Sequence, residues 1–353
     1  MKKKVVIFID VVAHKNAIQI DSIIDYGLSP YFFTSTNKAG SENYLKNKGE
    51  QNILNRNIFK RLKQVNSFLK KNKNNIHHIE IYPGDRSAFL YLLLGKLYRI
   101  KCICAERGDL LFYNNHKFDR ITRFSMWFCY KFSKIVWYRE PYMQPVLEKL
   151  NKNLFFLHNA VNKNPENSIT HFEEKDITFL WLNRIIPERN ADWFSASLKN
   201  PELKDTVNYL VGMVANSSFA KEQEEVINNK PDNLFLTEYC SNPESFYKRA
   251  KFFVLPAKIV FANNSLLEAM SYGIVPIVSD QPGTNLIVTN EQNGFVFNHN
   301  KKDFEESILK AFHLPAAEYN KMSLAAQEKI KTDFSKEKYY NGLQQIYSLI
   351  ELK

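Results

Sequence analysis

Short apolar runs that end in a polar break, each followed by apolar residues at helical spacing, recur along this chain and set its expected architecture. Residues 5–10 form a compact β-rich run that meets a loop and then Ala17, Ile18, Gln19 and Ile20, the pattern of a strand entering a helix. Residues 31–34 (Tyr-Phe-Phe-Thr) read as a second strand. Over 52–73, Ile53, Leu54, Ile58, Leu62, Val65, Phe68 and Leu69 fall on one stripe, which predicts a basic helix with a core face. Residues 76–82 and 100–105 read as strands, and 87–98 as a helix with almost no polar residue. That helix is too short to span a bilayer and is expected to be buried. Residues 118–142 interleave Arg120, Arg123, Lys131, Lys134 and Arg139 with Trp127, Phe128, Tyr130, Phe132, Trp137 and Tyr138. The first part reads as an amphipathic basic helix, suited to a membrane surface or to stacked bases, or else packed on a sheet with its lysines wetted. Residues 154–157 close this half as a further apolar run.

The alternation then starts again. Apolar runs at 177–182, 209–212, 234–236, 252–255 and 274–279 predict strands, and 243–250, 266–270, 303–312, 316–331 and 337–352 predict helices. Between the halves, 162–174 is polar and proline-bearing, as linkers are. Strands alternating with helices predict an α/β class with parallel sheets, and 353 residues exceed a single typical core. The expectation is two doubly wound, Rossmann-like domains.

Composition changes this picture little, and charge changes it more. With 44% hydrophobic and 24% charged residues the chain is an ordinary globular one. The formal charge of +11 is polarised: through Pro165 there are 28 Lys and Arg against 12 Asp and Glu, and beyond it 20 against 25. A cationic first half implies a nucleic acid, a phospholipid surface or a phosphorylated substrate, unless the surplus lysine merely solvates. Cys102, Cys104, Cys129 and Cys240 lack metal-ligand spacing and read as reduced thiols of a cytosolic protein. The apolar run after Met1-Lys2-Lys3-Lys4 is too short for a secretion signal and meets Asp10, and no stretch is long enough to span a membrane.

In parallel sheets ligands gather where strands end. The run 252–255 halts at Pro256, and after a polar loop Asn263, Asn264 and Ser265 occupy N-cap positions. The N–H groups of the next turn, to Leu266, then form an anion site or are simply capped. Glu268, one turn in, can accept from ribose hydroxyls or complement the helix dipole. After 177–182, Arg184 and Arg189 stand five residues apart at a strand-to-helix turn, where each could give a charge-assisted bond to a pyrophosphate or be an ordinary surface arginine. The charged turn Glu106-Arg107-Gly108-Asp109 follows 100–105 in the same way. His14 and Lys15 follow the first strand, facing a site or only solvent.

From Glu268 onward, Glu268-Ala269-Met270-Ser271-Tyr272-Gly273-Ile274-Val275-Pro276-Ile277-Val278 resembles the donor-site signature E-A-M-A-x-G-x-P-V-I of GT-B glycosyltransferases of the family 4 type. The segment from Asn183 to Asn190 is similar to their G-R-L-x-x-x-K-G, with Arg184 matching, Arg189 in place of the lysine and Asn183 and Asn190 in place of the glycines. His158-Asn159-Ala160-Val161 is similar to P-N-G-V, which ends the first domain in that family. Two departures stand out: the upstream glutamate of the donor signature falls on Val260, and its G-F-G turn on Phe261, Ala262 and Asn263. The resemblance covers roughly 177–352 well and the first half only in outline.

It implies the GT-B fold, two Rossmann-like domains with a cleft between them: 1–162 for the acceptor, 163–335 for the nucleotide sugar, and 336–353 as a helix returning to the first. It also implies transfer of a sugar from a nucleotide-sugar donor to a glycan acceptor, lipid-linked in relatives that build surface polysaccharides. Such an enzyme is mostly retaining and needs no metal or other cofactor; the chain has no D-x-D motif. The donor would be held by Arg184, Arg189, Asn264, Ser265, Leu266 and Glu268. Catalysis would fall to Arg107, which aligns best with a family histidine, and to its neighbours Glu106 and Asp109. The expected partners are a nucleotide sugar, a glycan acceptor and an anionic cytoplasmic membrane face, and not nucleic acid. The alternatives are a nucleic-acid-binding protein using the basic first half, and a relative that binds sugar nucleotides without turnover, which Val260 favours.

Overall fold

The computed structural model describes residues 2–13, 16–36, 45, 48–107, 118–161, 172–214, 220–240, 242–258, 260 and 263–352. The chain forms two compact units, one of residues 1–162 with 336–353 and one of 163–335. In chain order the first holds β1 (Lys4–Ile9), α1 (Ala17–Asp25), β2 (Ser29–Thr34), β3 (Glu50–Ile53), α2 (Ile58–Asn72), β4 (Ile76–Ile81), α3 (Ala88–Leu97), β5 (Cys102–Glu106), α4 (Arg120–Phe132), β6 (Ile135–Tyr138), α5 (Gln144–Leu147) and β7 (Leu154–Phe156). The second holds β8 (Ile177–Leu182), α6 (Ala191–Ser197), β9 (Asn208–Met213), α7 (Ala220–Asn229), β10 (Leu234–Glu238), α8 (Glu244–Arg249), β11 (Ala250–Leu255), α9 (Asn264–Ser271), β12 (Val275–Ser279), α10 (Thr284–Ile287), β13 (Phe295–Phe297), α11 (Lys301–Phe312) and α12 (Ala316–Asp333). The closing helix α13 (Lys336–Leu352) belongs to the first unit.

Both sheets are parallel and wound alike. The first runs β3-β2-β1-β4-β5-β6-β7 and the second β10-β9-β8-β11-β12-β13. Strands covered on both faces need apolar residues at every position, which is why the sequence shows continuous runs. In β1, Val6 and Phe8 enter one core with Val65, Leu69, Tyr91, Met126 and Tyr130 from α2 to α4. Val5, Ile7 and Ile9 enter the opposite core, closed by Ile18, Ile20 and Ile23 of α1 and by Tyr339, Leu343, Ile346 and Tyr347 of α13. Helix α13 therefore supplies much of one layer of the first unit. In the second unit Phe179 and Trp181 of β8 pack with Phe194, Phe304, Ile308 and Tyr319. Cys102, Cys104 and Cys129 are buried thiols, and neither they nor Cys240 form a disulfide among the described residues. No helix among the described residues is long and apolar enough to cross a membrane.

Two expectations are corrected. The single helix over 52–73 is two elements: the edge strand β3, then α2, which starts at Asn57, whose side chain accepts from the amides of Phe59 and Lys60. The helix over 87–98 is buried on one side only, since Leu93 is 44% and Leu97 68% exposed. The first part of the basic aromatic segment 118–142 is a helix as expected, α4, which ends at Ser133; Trp137 and Tyr138 beyond it are buried residues of β6.

Candidate functional site

In the second unit β8 and β11 are sheet neighbours, and the winding reverses between them. The carboxyl ends of strands at such a switch point open a crevice. Asn183 and Arg184 leave β8, and the 3-10 turn Pro187–Arg189 ends at Asn190 with φ 48° and ψ 50°. That left-handed conformation strains most side chains but suits Gly and Asn, so an asparagine can stand where the family signature has glycine. It adds what glycine lacks: its amide donates to the Pro256 carbonyl beyond β11 at 2.8 Å and lies 3.3 Å from His299 Nε2. Asn183 ties the other side, its Oδ1 accepting from Asn263 Nδ2 at 3.2 Å, while its own Nδ2 is buried with no hydrogen-bond partner among the described residues. Strand β9 passes so near that a Cβ on Gly212 would lie 1.7 Å from the Asn183 carbonyl oxygen.

This turn carries the two arginines. Arg184 is exposed and Arg189 half-buried. Burial, then the neighbouring Arg184 charge, pulls the Arg189 pKa down to about 10. Cations held this way gain from an anion between them. The amide of Lys258 docks on the same turn, donating to the Glu188 carbonyl at 2.8 Å.

Helix α9 begins at Asn263, whose Oδ1 accepts from the Leu266 amide at 3.0 Å. The Leu266 N–H is thus committed to the cap, leaving Asn264 and Ser265 as the half-buried first-turn positions. Glu268 plays no part in that cap. Its carboxylate accepts from Tyr247 Oη of α8 at 3.1 Å, which orients it from below. Burial and the Glu268 charge in turn push the Tyr247 phenol well up. Val260 is fully buried, so an apolar side chain occupies the place of the family's glutamate.

In the first unit the switch point lies between β1 and β4. There a cavity of about 520 Å³ is lined by Asp10, Tyr82, Asp85, Arg86, Arg107 and Thr122 together with apolar residues. Arg107 is fixed by Nη1 donating to Tyr82 Oη at 3.1 Å and Nη2 donating to Asn159 Oδ1 at 3.1 Å. Its carbonyl accepts from Arg139, and its Nε is buried with no hydrogen-bond partner among the described residues. Glu106 lies on the opposite face of the strand: it is fully buried, accepts from Tyr130 of α4, and does not line the cavity. Adjacent strand residues point to opposite faces, so Glu106 and Arg107 do not come together. Asp109, His14 and Lys15 lie outside the described residues.

Tyr247, His299, Tyr82 and Asn159 were not legible as site residues. Each acts on a partner distant in the chain: His299, for instance, stacks on Trp193 at 5.0 Å and reaches Asn190. Asn159 alone had a local signal, in His158-Asn159-Ala160-Val161.

Residues 162–329 match the family described as glycosyl transferases group 1. Over 194 residues the chain is 26% identical to an Escherichia coli UDP-Gal:alpha-D-GlcNAc-diphosphoundecaprenol alpha-1,3-galactosyltransferase, covering 53% of this chain and 50% of the relative, so it spans about half the length of that protein. Among solved structures, HepE of Anabaena in complex with UDP and glucose superposes with a TM-score of 0.80 at 12% identity over 99% of this chain and 100% of the other. The lipopolysaccharide outer core galactosyltransferase WaaB superposes with a TM-score of 0.73 at 15% identity over 98% and 99%. At such identities these likenesses show the fold. Residues 162–329, nearly the whole second unit, thus match the glycosyl transferases group 1 family model, and the two parallel-sheet units have the α/β fold of the GT-B enzymes.

Proposed function

We propose that the protein transfers a sugar from a UDP-activated donor to a lipid-linked glycan acceptor during synthesis of a surface polysaccharide, with retention and without a metal. The observation that carries this reading is the turn holding Arg184 and Arg189 beside the first turn of α9, with Glu268 anchored one turn further in. As the glycosidic bond to the donor phosphate breaks, negative charge grows on the leaving diphosphate, and two preplaced guanidiniums stabilise it where it develops. The orphaned Asn183 Nδ2 is a further donor for the same group. Glu268 suits the ribose hydroxyls. The E. coli relative acts, by its name, on a UDP-sugar and a lipid diphosphate, which favours these substrate classes. On the acceptor side, Arg107 and the Asp10 carboxylate face one cavity, one fit to hold a sugar and the other to accept a hydroxyl proton. Val260 leaves the oxocarbenium-like carbon to be stabilised by groups other than the family's carboxylate.

A lipid-linked acceptor requires work at a membrane. Helices α3 and α4 carry no acidic residue and expose Leu93, Leu97, Ile121, Phe124 and Phe132. Lys96 and Lys131 lie over the Phe132 ring at 5.2 and 5.7 Å. Apolar side chains ringed by cations suit the anionic cytoplasmic leaflet, where each basic residue contributes on the order of 1 kcal/mol.

Incubation with labelled UDP-sugars and a GlcNAc-diphospholipid is expected to yield a lengthened lipid product, and thermal shifts with UDP, GDP and ADP are compared with those of single-stranded RNA. Stabilisation by RNA and by none of the nucleotides would refute the reading in favour of a nucleic-acid-binding protein. Nucleotide binding without product for any sugar would leave the non-catalytic relative.

A further inference from the structure

The opposite end of the first sheet, where β1, β4 and β5 begin, holds a second concavity of about 610 Å³. Lys3, Lys73, Arg99 and Lys101 line it with His77, and Glu351 of α13 is the only carboxylate among its described lining residues. That carboxylate is engaged by His77 Nε2 at 2.9 Å. Lys101 donates to the Ile350 carbonyl at the end of α13. Four basic side chains thus share one hollow with a single carboxylate, an arrangement that favours entry of a multiply charged anion.

Helix dipoles do not account for all of this. Cations favour the carboxyl ends of helices, and Lys70, Lys71 and Lys96 fill that role on α2 and α3. Arg99 is different. It follows α3 in the left-handed conformation, φ 57°, its amide donating to the Lys96 carbonyl at 3.0 Å, while the Ile100 amide reaches the Gly95 carbonyl at 2.9 Å. Helices commonly end this way on glycine, because a Cβ is strained there. An arginine held in such a conformation marks a position where the side chain is worth more than the strain.

We infer that this hollow is a phosphate-binding site, separate from the donor turn and from the Arg107 cavity, for a phosphate monoester or a diphosphate ester bearing two or more negative charges. The Arg99 fork matches two phosphate oxygens, and the lysines add compact charges on either side. A single carboxylate would answer one cation and leave three. The phosphate can belong to a lipid headgroup, since the exposed Leu97 stands two residues from Arg99, or to a soluble phosphoester.

The test is titration calorimetry with sodium pyrophosphate at low salt. Wild type is expected to show two sites, of which Arg184→Ala/Arg189→Ala removes the donor site and Arg99→Glu/Lys101→Glu removes this one. In the Arg184→Ala/Arg189→Ala background, Arg99→Gly is expected to raise the melting temperature yet weaken the remaining pyrophosphate site about tenfold, the scale of one charge-assisted bond. In the same background, sedimentation with phosphatidic acid vesicles, whose headgroup is a phosphate monoester, separates the sources. Vesicle binding that is lost in Arg99→Glu/Lys101→Glu and competed by pyrophosphate identifies a lipid headgroup. Unchanged vesicle binding with lost pyrophosphate binding identifies a soluble phosphoester. If Arg99→Glu/Lys101→Glu alters neither pyrophosphate nor vesicle binding, the site is overturned; if Arg184→Ala/Arg189→Ala leaves both pyrophosphate sites, the donor assignment fails and this one stands.

Discussion

Replacing Arg189 by alanine separates a donor-binding arginine from a structural one, because the two roles predict opposite balances between affinity and stability. In the ligand-free protein, burial and the Arg184 charge bring the Arg189 pKa to about 10, against 12.5 for the isolated group. At 1.36 kcal/mol per pKa unit, the charged guanidinium is disfavoured by about 3 kcal/mol relative to water. A diphosphate between the two arginines offsets that penalty and adds a charge-assisted bond. Arg189→Ala is therefore expected to weaken binding of UDP by about 1.5 to 3 kcal/mol, roughly 10- to 150-fold in Kd. Uridine, with no phosphate, should bind almost unchanged. The ligand-free melting temperature should not fall and is expected to rise, because the substitution relieves the penalty on the buried charge. Calorimetry with UDP and uridine, followed by a thermal melt of each variant, reads all three quantities. Equal losses for uridine and UDP, or a large fall in melting temperature with UDP affinity intact, would refute the diphosphate role and make Arg189 part of the fold.

Glu268→Gln keeps an oxygen able to accept from Tyr247, so the fold should persist while UDP affinity falls by about 1 to 2 kcal/mol, since a neutral amide is the poorer acceptor for ribose hydroxyls; calorimetry with UDP and with its 2′,3′-dideoxy analogue checks it, and an equal loss for both would exclude ribose recognition. With arginines on the phosphates, turnover should survive excess EDTA, and an absolute requirement for Mg²⁺ or Mn²⁺ in the transfer assay would sink the mechanism. Lys175 is buried near the start of β8, donating to Tyr319 Oη at 3.1 Å, and burial followed by the Lys251 charge lowers its pKa from 10.5 to about 7. Between those values the unfolded chain holds a proton that the folded one has shed, so stability should rise with pH by up to about 1.4 kcal/mol per unit. Urea unfolding at pH 7.5 and 9.5 measures the slope, and Lys175→Met should lack it; identical slopes would show that Lys175 stays charged when folded.

The architecture was legible because parallel strands buried on both faces leave a plain trace. In β1, alternate residues from Val5 to Ile9 feed two different cores, and none of them is polar. Where that condition fails, the trace fades. Strand β3 (Glu-Gln-Asn-Ile) sits at the sheet edge with no buried residue, and Ile53 and Leu54 happen to continue the spacing of α2. The apolar run of α3 could not say which of its faces was covered, and Leu97 lies in the open.

Much of the same holds for the site. Arg184, Arg189 and Glu268 stand in local patterns and could be named from them, whereas the bonds that orient them could not. Asn263 with Asn183, Asn190 with Pro256, Tyr247 with Glu268 and Asn159 with Arg107 each join residues that only the folded sheet brings together. The asparagines that break the glycine pattern of the family signature are then consistent with one another. Asn190 keeps the left-handed turn and Asn183 the close approach of Gly212, and each adds a side-chain bond across the β8–β11 switch point. Glycine would give this turn freedom; the two asparagines clamp it, so both arginines stand on a backbone already fixed from both sides, as the proposed diphosphate role requires.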